Sequence, residues 1–514
     1  MKGFFKTVVI VTVFGFCEKF LGFLYRIFLS HKIGSEGIGL YQIALSIFAL
    51  ILTLCCSGTP VTVSRLMTKY QAENNKISEK KVISAGILLT LFTTLPVCIF
   101  LFCFRNILNF AFSDIRAKTL FYIILPGLVF TSIYSVLRGI FWGKKDFLPY
   151  SIIELLEEIA MIVCGIFLIS KTDDVFKGAK FASIAVTFSF IVSFSIATFV
   201  FFFRKNKIIS PKGELLPLIQ SSAPVTAMRT ANSLTSSLIS IVLPARLISV
   251  GFSSAEAMSL FGASVGQAIP ILFAPTSLIG SFTLVLIPQI SEDFYKKDFN
   301  KLKRDIEISF KFAIFLTCLF LPLFLVCGEE IGMTIFKSEK CGEYLTASSF
   351  LILFVGLSNI STSILNSMGK EKYTLIFFLI SALCMFFSIW FLPKYIVIYS
   401  LLVGFVFVYG LTAILNIFLI RKTCPIKPQV YRFAYKTILI QFPSILLGLM
   451  LEKMILFPLG TIATLIICTI VILPFNAFMF IAFNLVSMDE IVTFLPFLKK
   501  KQKRQRKSVA KKTA

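Results

Sequence analysis

Three cations sit deep in apolar stretches, where a charge is costly, so the chemistry of this chain starts with them. Lys19 and Arg26 belong to Gly15-Phe-Cys-Glu-Lys-Phe-Leu-Gly-Phe-Leu-Tyr-Arg26, and Arg229 lies in a second apolar run. On a helix Gly15, Lys19, Gly22 and Arg26 follow at steps of four, three and four and so share one face. A cation in hydrocarbon costs about 2.5–3.5 kcal/mol on insertion scales and therefore faces a cavity or a partner. The stripe reads as one wall of a polar, cationic cavity suited to an anionic group, with Arg as a bidentate fork and Lys as a point charge. A plainer alternative stays open: Glu18 neutralises Lys19, and Arg26 snorkels outward. Arg65 and Arg138 fall at the mouth of the same side, as residues for capture. Span five opens with carboxylates instead, Glu154, Glu157 and Glu158, which read either as an ion or proton site, as a partner for Arg138, or as anions facing a helix dipole.

These residues need helices long enough to hold them at depth. The 514 residues are 57% hydrophobic and 15% charged, with a mean hydropathy of +0.89, which describes an all-α polytopic membrane protein. Apolar runs suggest about fourteen spans: 5–30, 37–57, 83–104, 118–140, 151–170, 179–203, 216–245, 260–289, 308–328, 344–367, 373–392, 396–420, 434–455 and 458–485. With the N-terminus inside, 36 of the 51 Lys and Arg residues fall in inner segments and 12 in outer ones. Both termini are therefore expected in the cytoplasm, and three cations remain at depth. Lys19 lies about 20 Å along its helix from Lys6, and Arg229 about 20 Å from Glu214, which puts both near the midplane.

A weak repeat links the halves. Arg26, Glu36, Leu40 and Tyr41 recur as Arg246, Glu256, Leu260 and Phe261 at an offset of 220, six spans apart, as in a parallel repeat with a binding site between its copies. The expected organisation is an N-terminal lobe over 1–212 with spans one to six, a C-terminal lobe over 213–430 with spans seven to twelve, two further spans over 431–490, and a basic tail over 491–514 that rests on anionic lipid. The formal charge of +25 sits at span ends, so it does not point to nucleic acid. One histidine, His31, and no C-x-x-C leave zinc or haem almost no ligands, and no cofactor is expected.

Five stretches occur in a telling order: Gly22-Phe-Leu-Tyr-Arg26, Gly58-Thr-Pro60, Arg138-Gly-Ile-Phe-Trp-Gly143, Ala223-Pro-Val-Thr226 and Leu286-Ile-Pro-Gln-Ile-Ser291. Together they resemble the stage V sporulation protein B group of polysaccharide-export proteins, within the multidrug, oligosaccharidyl-lipid and polysaccharide exporter superfamily. The resemblance covers nearly the whole chain. It implies a two-lobe, fourteen-span exporter of the bacterial cytoplasmic membrane, with a lipid-linked cell-wall precursor such as lipid II as cargo. The chain departs from the group after Pro149, where Ile153-Glu154, Glu157-Glu158 and Met161 replace the group's Ser-Gln, Glu-Gln and Arg.

The leading expectation is thus a monomeric flippase working by alternating access, with Lys19, Arg26, Arg229, Arg65 and Arg138 on the diphosphate and Glu154 and Glu157 as a candidate ion or proton site. A cation-coupled multidrug exporter is the alternative, and its cavity should hold carboxylates. A membrane-embedded glycan-assembly enzyme ranks last, since His31, Glu329 and Glu330 make no catalytic constellation. The topology is testable in a cysteine-free background. Cysteines at positions 74 and 300, in place of Asn74 and Asn300, should resist an impermeant thiol reagent added outside, and one replacing Ser338 should react; labelling at 300 from outside would overturn the orientation.

Overall fold

Inside a bilayer each backbone N–H and C=O must be satisfied by its own segment, which leaves helices as the economical solution for apolar runs like these. The computed structural model describes residues 2–144, 146–204, 208–279, 290–424, 430–483 and 485, and it is helical with no strand among them. Residues 286–289 of the fifth motif and the basic tail 491–514 lie outside the described residues.

Spans one and two are one element, α1 (Lys2–Cys56), broken at Gly34, whose φ of 62° lies in the left-handed region where glycine is favoured. Then follow α2 (Thr59–Ala72), α3 (Lys76–Cys103), α4 (Ile115–Ile124), α5 (Gly127–Gly143), α6 (Phe147–Ile169), α7 (Val175–Phe203), α8 (Leu215–Val250) and α9 (Ser254–Phe261). Polar caps start several of them: Asn75 accepts from the Ser78 amide, Asp174 from the Lys177 amide, and Ser253 and Glu256 form a capping box. Further on come α10 (Phe299–Val326), α11 (Glu339–Ser348), α12 (Leu351–Ser367), α13 (Glu371–Phe391) and α14 (Val430–Ala482).

Among the described residues ten helices are long and apolar enough to cross a membrane, or twelve if the pairs α4–α5 and α11–α12, bent by 47° and 57°, each count as one span. The expected fourteen differ for two physical reasons. The first two spans run as one helical stretch, and α6 carries Glu154, Glu157 and Glu158 within its apolar run.

Two compact units make up the chain, Met1–Gly266 and Gln267–Ala514. The expected linker before residue 213 falls inside the first unit. There the Ile209 amide donates to Ser84 Oγ at 2.9 Å, and Tyr70 donates to Glu214 at 2.7 Å. Beyond it α8 lies on α1 and α2: Ser237 donates to the Ser46 carbonyl at 2.9 Å, and the Gly58 amide donates to Thr226 at 3.1 Å. The second unit has its own core, in which Phe310, Ile364, Leu365 and Phe480 are fully or almost fully buried. Buried Asn476 on α14 donates to the Cys318 carbonyl of α10 at 2.8 Å and accepts from Ser444.

Within the first unit the two copies of the weak repeat meet. A Cβ on Gly262 would stand 1.8 Å from the Ser35 carbonyl oxygen, and one on Gly39 would stand 2.1 Å from that of Met258. Only glycine allows backbones this close. The copies have nevertheless diverged in use: Glu36 pairs with Arg116 at 2.7 Å, while Glu256 caps α9. Arg116 also pairs with Asp114 at 2.9 Å, and Ser254 donates to the same carboxylate, so α1, α4 and α9 are tied together at one end. Burial works against the Asp114 charge, but the hydrogen bonds from Arg116 and Ser254 outweigh it and hold this carboxyl below the ordinary carboxylate range.

Gly262→Val should therefore lower the stability of the folded protein by about 1–3 kcal/mol, the usual cost of overpacking, read as a fall in the thermal midpoint in detergent. Gly15→Val, which meets nothing within 4 Å, should leave the midpoint unchanged.

Candidate functional site

The polar residues of the first unit converge because of helix periodicity. On α6, Glu154, Glu157 and Glu158 stand at i, i+3 and i+4 and share one face; on α5, Tyr134 and Arg138 stand at i and i+4. These faces, with Glu18 from α1, Ser57 from the α1–α2 junction and Arg229 from α8, enclose a cavity of about 300 Å³. Its charged lining is four carboxylates and two guanidiniums.

The best-organised contact is the ion pair between Arg138 Nη1 and Glu154 Oε1 at 3.1 Å. The guanidinium also lies 5.1 Å from the ring centroid of Trp142, which meets Tyr150 edge-on at 5.7 Å. Arg138 is thus held on two sides, while its Nε has no partner among the described residues. Arg229 is exposed and donates to the Ser57 carbonyl at 3.0 Å, which directs its guanidinium to the same space. Glu158 packs against Gly22, where a Cβ would come within 2.8 Å of its Oε1. The hydroxyls of Tyr134 and Ser57 are buried without a partner among the described residues.

The expected basic residues part company here. Arg138 and Arg229 line the cavity, as do Glu154 and Glu157, whereas Lys19 and Arg65 do not. Lys19 is exposed, because consecutive residues on a helix diverge by about 100°, and it is the neighbouring Glu18 that turns inward. Arg65 stands exposed on α2. Arg26 is held elsewhere: it donates to the Gly266 carbonyl at 2.8 Å and so neither snorkels nor lines the cavity. The wall expected to be cationic is therefore richer in carboxylates than in cations. Tyr134 and Ser57 were not singled out by sequence; Glu18 was read only as a neutralising neighbour of Lys19, and Glu158 only as part of the acidic start of span five. The three Glu at helical spacing in an otherwise apolar stretch were the legible signal, while nothing local marks Glu18 over Lys19.

Across α1 and α2 from this cavity lies an open groove of about 560 Å³, lined by Leu54, Leu89 and Ile219 with threonines and Ser222. Among the described residues no set of three His, Cys, Asp or Glu side chains is close enough to hold a metal ion.

Comparison with known proteins agrees with this architecture. A family model described as a polysaccharide biosynthesis protein matches residues 4–294. Stage V sporulation protein B of Bacillus subtilis (strain 168) is 25% identical over 373 residues, 68% of this chain and 70% of that protein. The Lipid II flippase MurJ of the same bacterium is 24% identical over 410 residues, 71% of this chain and 73% of its own. A solved structure of Lipid II flippase MurJ in an inward closed conformation superposes with a TM-score of 0.73 over 92% of this chain and 99% of that one, at 16% identity, a likeness of fold.

The Arg138–Glu154 pair should behave as a unit. Arg138→Met or Glu154→Gln alone should each cost about 1.5–3 kcal/mol of stability, by leaving a partly buried charge without its partner. The double variant should cost clearly less than the sum, as read by a double-mutant cycle of unfolding midpoints.

Proposed function

The chain belongs to the polysaccharide biosynthesis protein family, as a multi-pass membrane transporter rather than an enzyme, and on that footing we propose that it flips a lipid-linked oligosaccharide diphosphate, lipid II or a close chemical relative, across the bacterial cytoplasmic membrane. The observation that carries this reading is the convergence of Arg138 and Arg229, from α5 and α8, on one cavity among apolar helices. A diphosphate crossing hydrocarbon needs fixed counter-charges, and guanidinium meets phosphate with two parallel hydrogen bonds. Arg138 is pre-organised by Glu154 and Trp142, so little side-chain freedom is lost when it captures a phosphate. Its unpartnered Nε leaves one donor for the cargo. The isoprenoid tail needs no polar path and runs along the apolar side of the neighbouring groove, beside Leu54 and Ile219, while the head group occupies the cavity. Both termini lie in the cytoplasm in this reading, which puts the start of α6 near the entry side.

One observation favours a second reading. Four carboxylates against two guanidiniums suit a lipophilic cation, as in a cation-coupled multidrug exporter of the same superfamily.

Proteoliposomes separate the two. The wild-type chain should flip a fluorescent lipid-linked diphosphate sugar, and Arg138→Ala or Arg229→Ala should slow it by about tenfold or more, the worth of about 1.4 kcal/mol from one charge-assisted hydrogen bond. Arg229→Lys should keep part of the rate because the fork is lost but the charge stays. Lys19→Ala should stay near wild type, since Lys19 faces away from the cavity. Transport of a lipophilic cation with no flipping of the diphosphate would establish the second reading instead.

A further inference from the structure

The arginines account for an anion, but most of the charge in the cavity is left over. Glu154 is engaged by Arg138, whereas among the described residues Glu18, Glu157 and Glu158 line the same space with no ion-pair partner within 4 Å. A carboxylate at membrane depth without a counter-charge is expensive, and such groups persist where they meet a cation in function. A second observation points the same way. The Tyr134 hydroxyl, on a side chain only 4% exposed, lines this cavity and has no hydrogen-bond partner among the described residues. A buried hydroxyl left unpaired costs about 1–3 kcal/mol, so its partner is missing from the protein itself.

The geometry narrows what that partner is. A bare divalent ion needs several oxygens gathered around one point, and these side chains do not form such a group among the described residues. They spread over α1, α5 and α6, around a space of about 300 Å³. An organic ammonium group suits this layout, because it offers three N–H donors and no acceptor, and each can reach a different oxygen. Resting on the flippase reading above, we propose that Glu18, Glu157, Glu158 and Tyr134 bind a free primary amine on the transported head group, so that the cargo is zwitterionic: a diphosphate on Arg138 and Arg229, and an ammonium on the carboxylate wall. The amine belongs to an amino-acid or amino-sugar substituent of the oligosaccharide. Its single charge offsets part of the wall's negative charge during passage, and a head group without it brings the three carboxylates no cation.

The test uses the full chain in proteoliposomes with two probes, a lipid-linked disaccharide-peptide diphosphate bearing one free amine and the same molecule N-acetylated on that amine. The free-amine probe should flip about tenfold or more faster. In the Glu157→Gln/Glu158→Gln variant the ratio of the free-amine rate to the acetylated rate should fall toward one. Tyr134→Phe, which removes only one oxygen, should reduce the preference in the same direction. A thermal midpoint near wild type shows that each variant is folded, and if the double Gln variant is not, Tyr134→Phe and the wild-type preference decide. Equal wild-type rates for the two probes would overturn the inference and leave the flippase reading standing. Equal slowing of both probes by the Gln variant would also overturn it, by giving the carboxylates a coupling role. Flipping of neither probe by wild type would sink the flippase reading and this inference with it.

Discussion

The pairing of Arg138 with Glu154 is the interaction on which the site depends. Both groups sit in helices that pack as membrane elements, where neither charge is stable alone. Their contact at 3.1 Å joins α5 to α6, and the stacking of Arg138 over Trp142 sets the guanidinium plane. With α6 held in that rotation, helical spacing also brings Glu157 and Glu158 onto the cavity wall. One ion pair thus decides both where the Arg138 guanidinium stands and which face of α6 lines the cavity.

Around that pair the first unit is assembled by close backbone contacts rather than by bulk. Gly39 and Gly262 let α1 and α9 cross with no room for a side chain between them, and the Glu36–Arg116–Asp114 network with Ser254 ties the same end. Gly139 and Gly143 likewise bring α5 against α2, at distances of 2.4 and 3.2 Å from a built Cβ to the carbonyls of Pro60 and Ser64. In lipid, where burying apolar surface gives helices little reason to associate, close packing of small residues and interhelical hydrogen bonds supply the attraction. The motifs around Gly58 and Arg138 are therefore structural as much as chemical, since they place α2, α5 and α8 at the margin of one cavity.

A cavity with both signs of charge suits a cargo that is not uniformly anionic. Under the proposed function, two guanidiniums select for phosphate geometry, while the acidic lining repels a head group that brings only negative charge. Selectivity in such a site comes from the arrangement of the charges and not from their sum.

Much of this was legible in the sequence. Composition and apolar runs decide that the chain is a helical membrane protein, because hydrocarbon admits few alternatives. The shared face of Glu154, Glu157 and Glu158 follows from their spacing. What periodicity cannot supply is the rotation of each helix about its own axis relative to its neighbours. That rotation turned Glu18 inward and left Lys19 exposed, and it sent Arg26 to the Gly266 carbonyl. The boundary between the units was equally a tertiary matter: a polar stretch with Pro211 and Gly213 reads as a linker, yet its hydrogen bonds to Ser84 and Tyr70 anchor it and bring α8 onto α1. Spacing along a chain determines which residues can share a face; only packing between helices decides what that face meets.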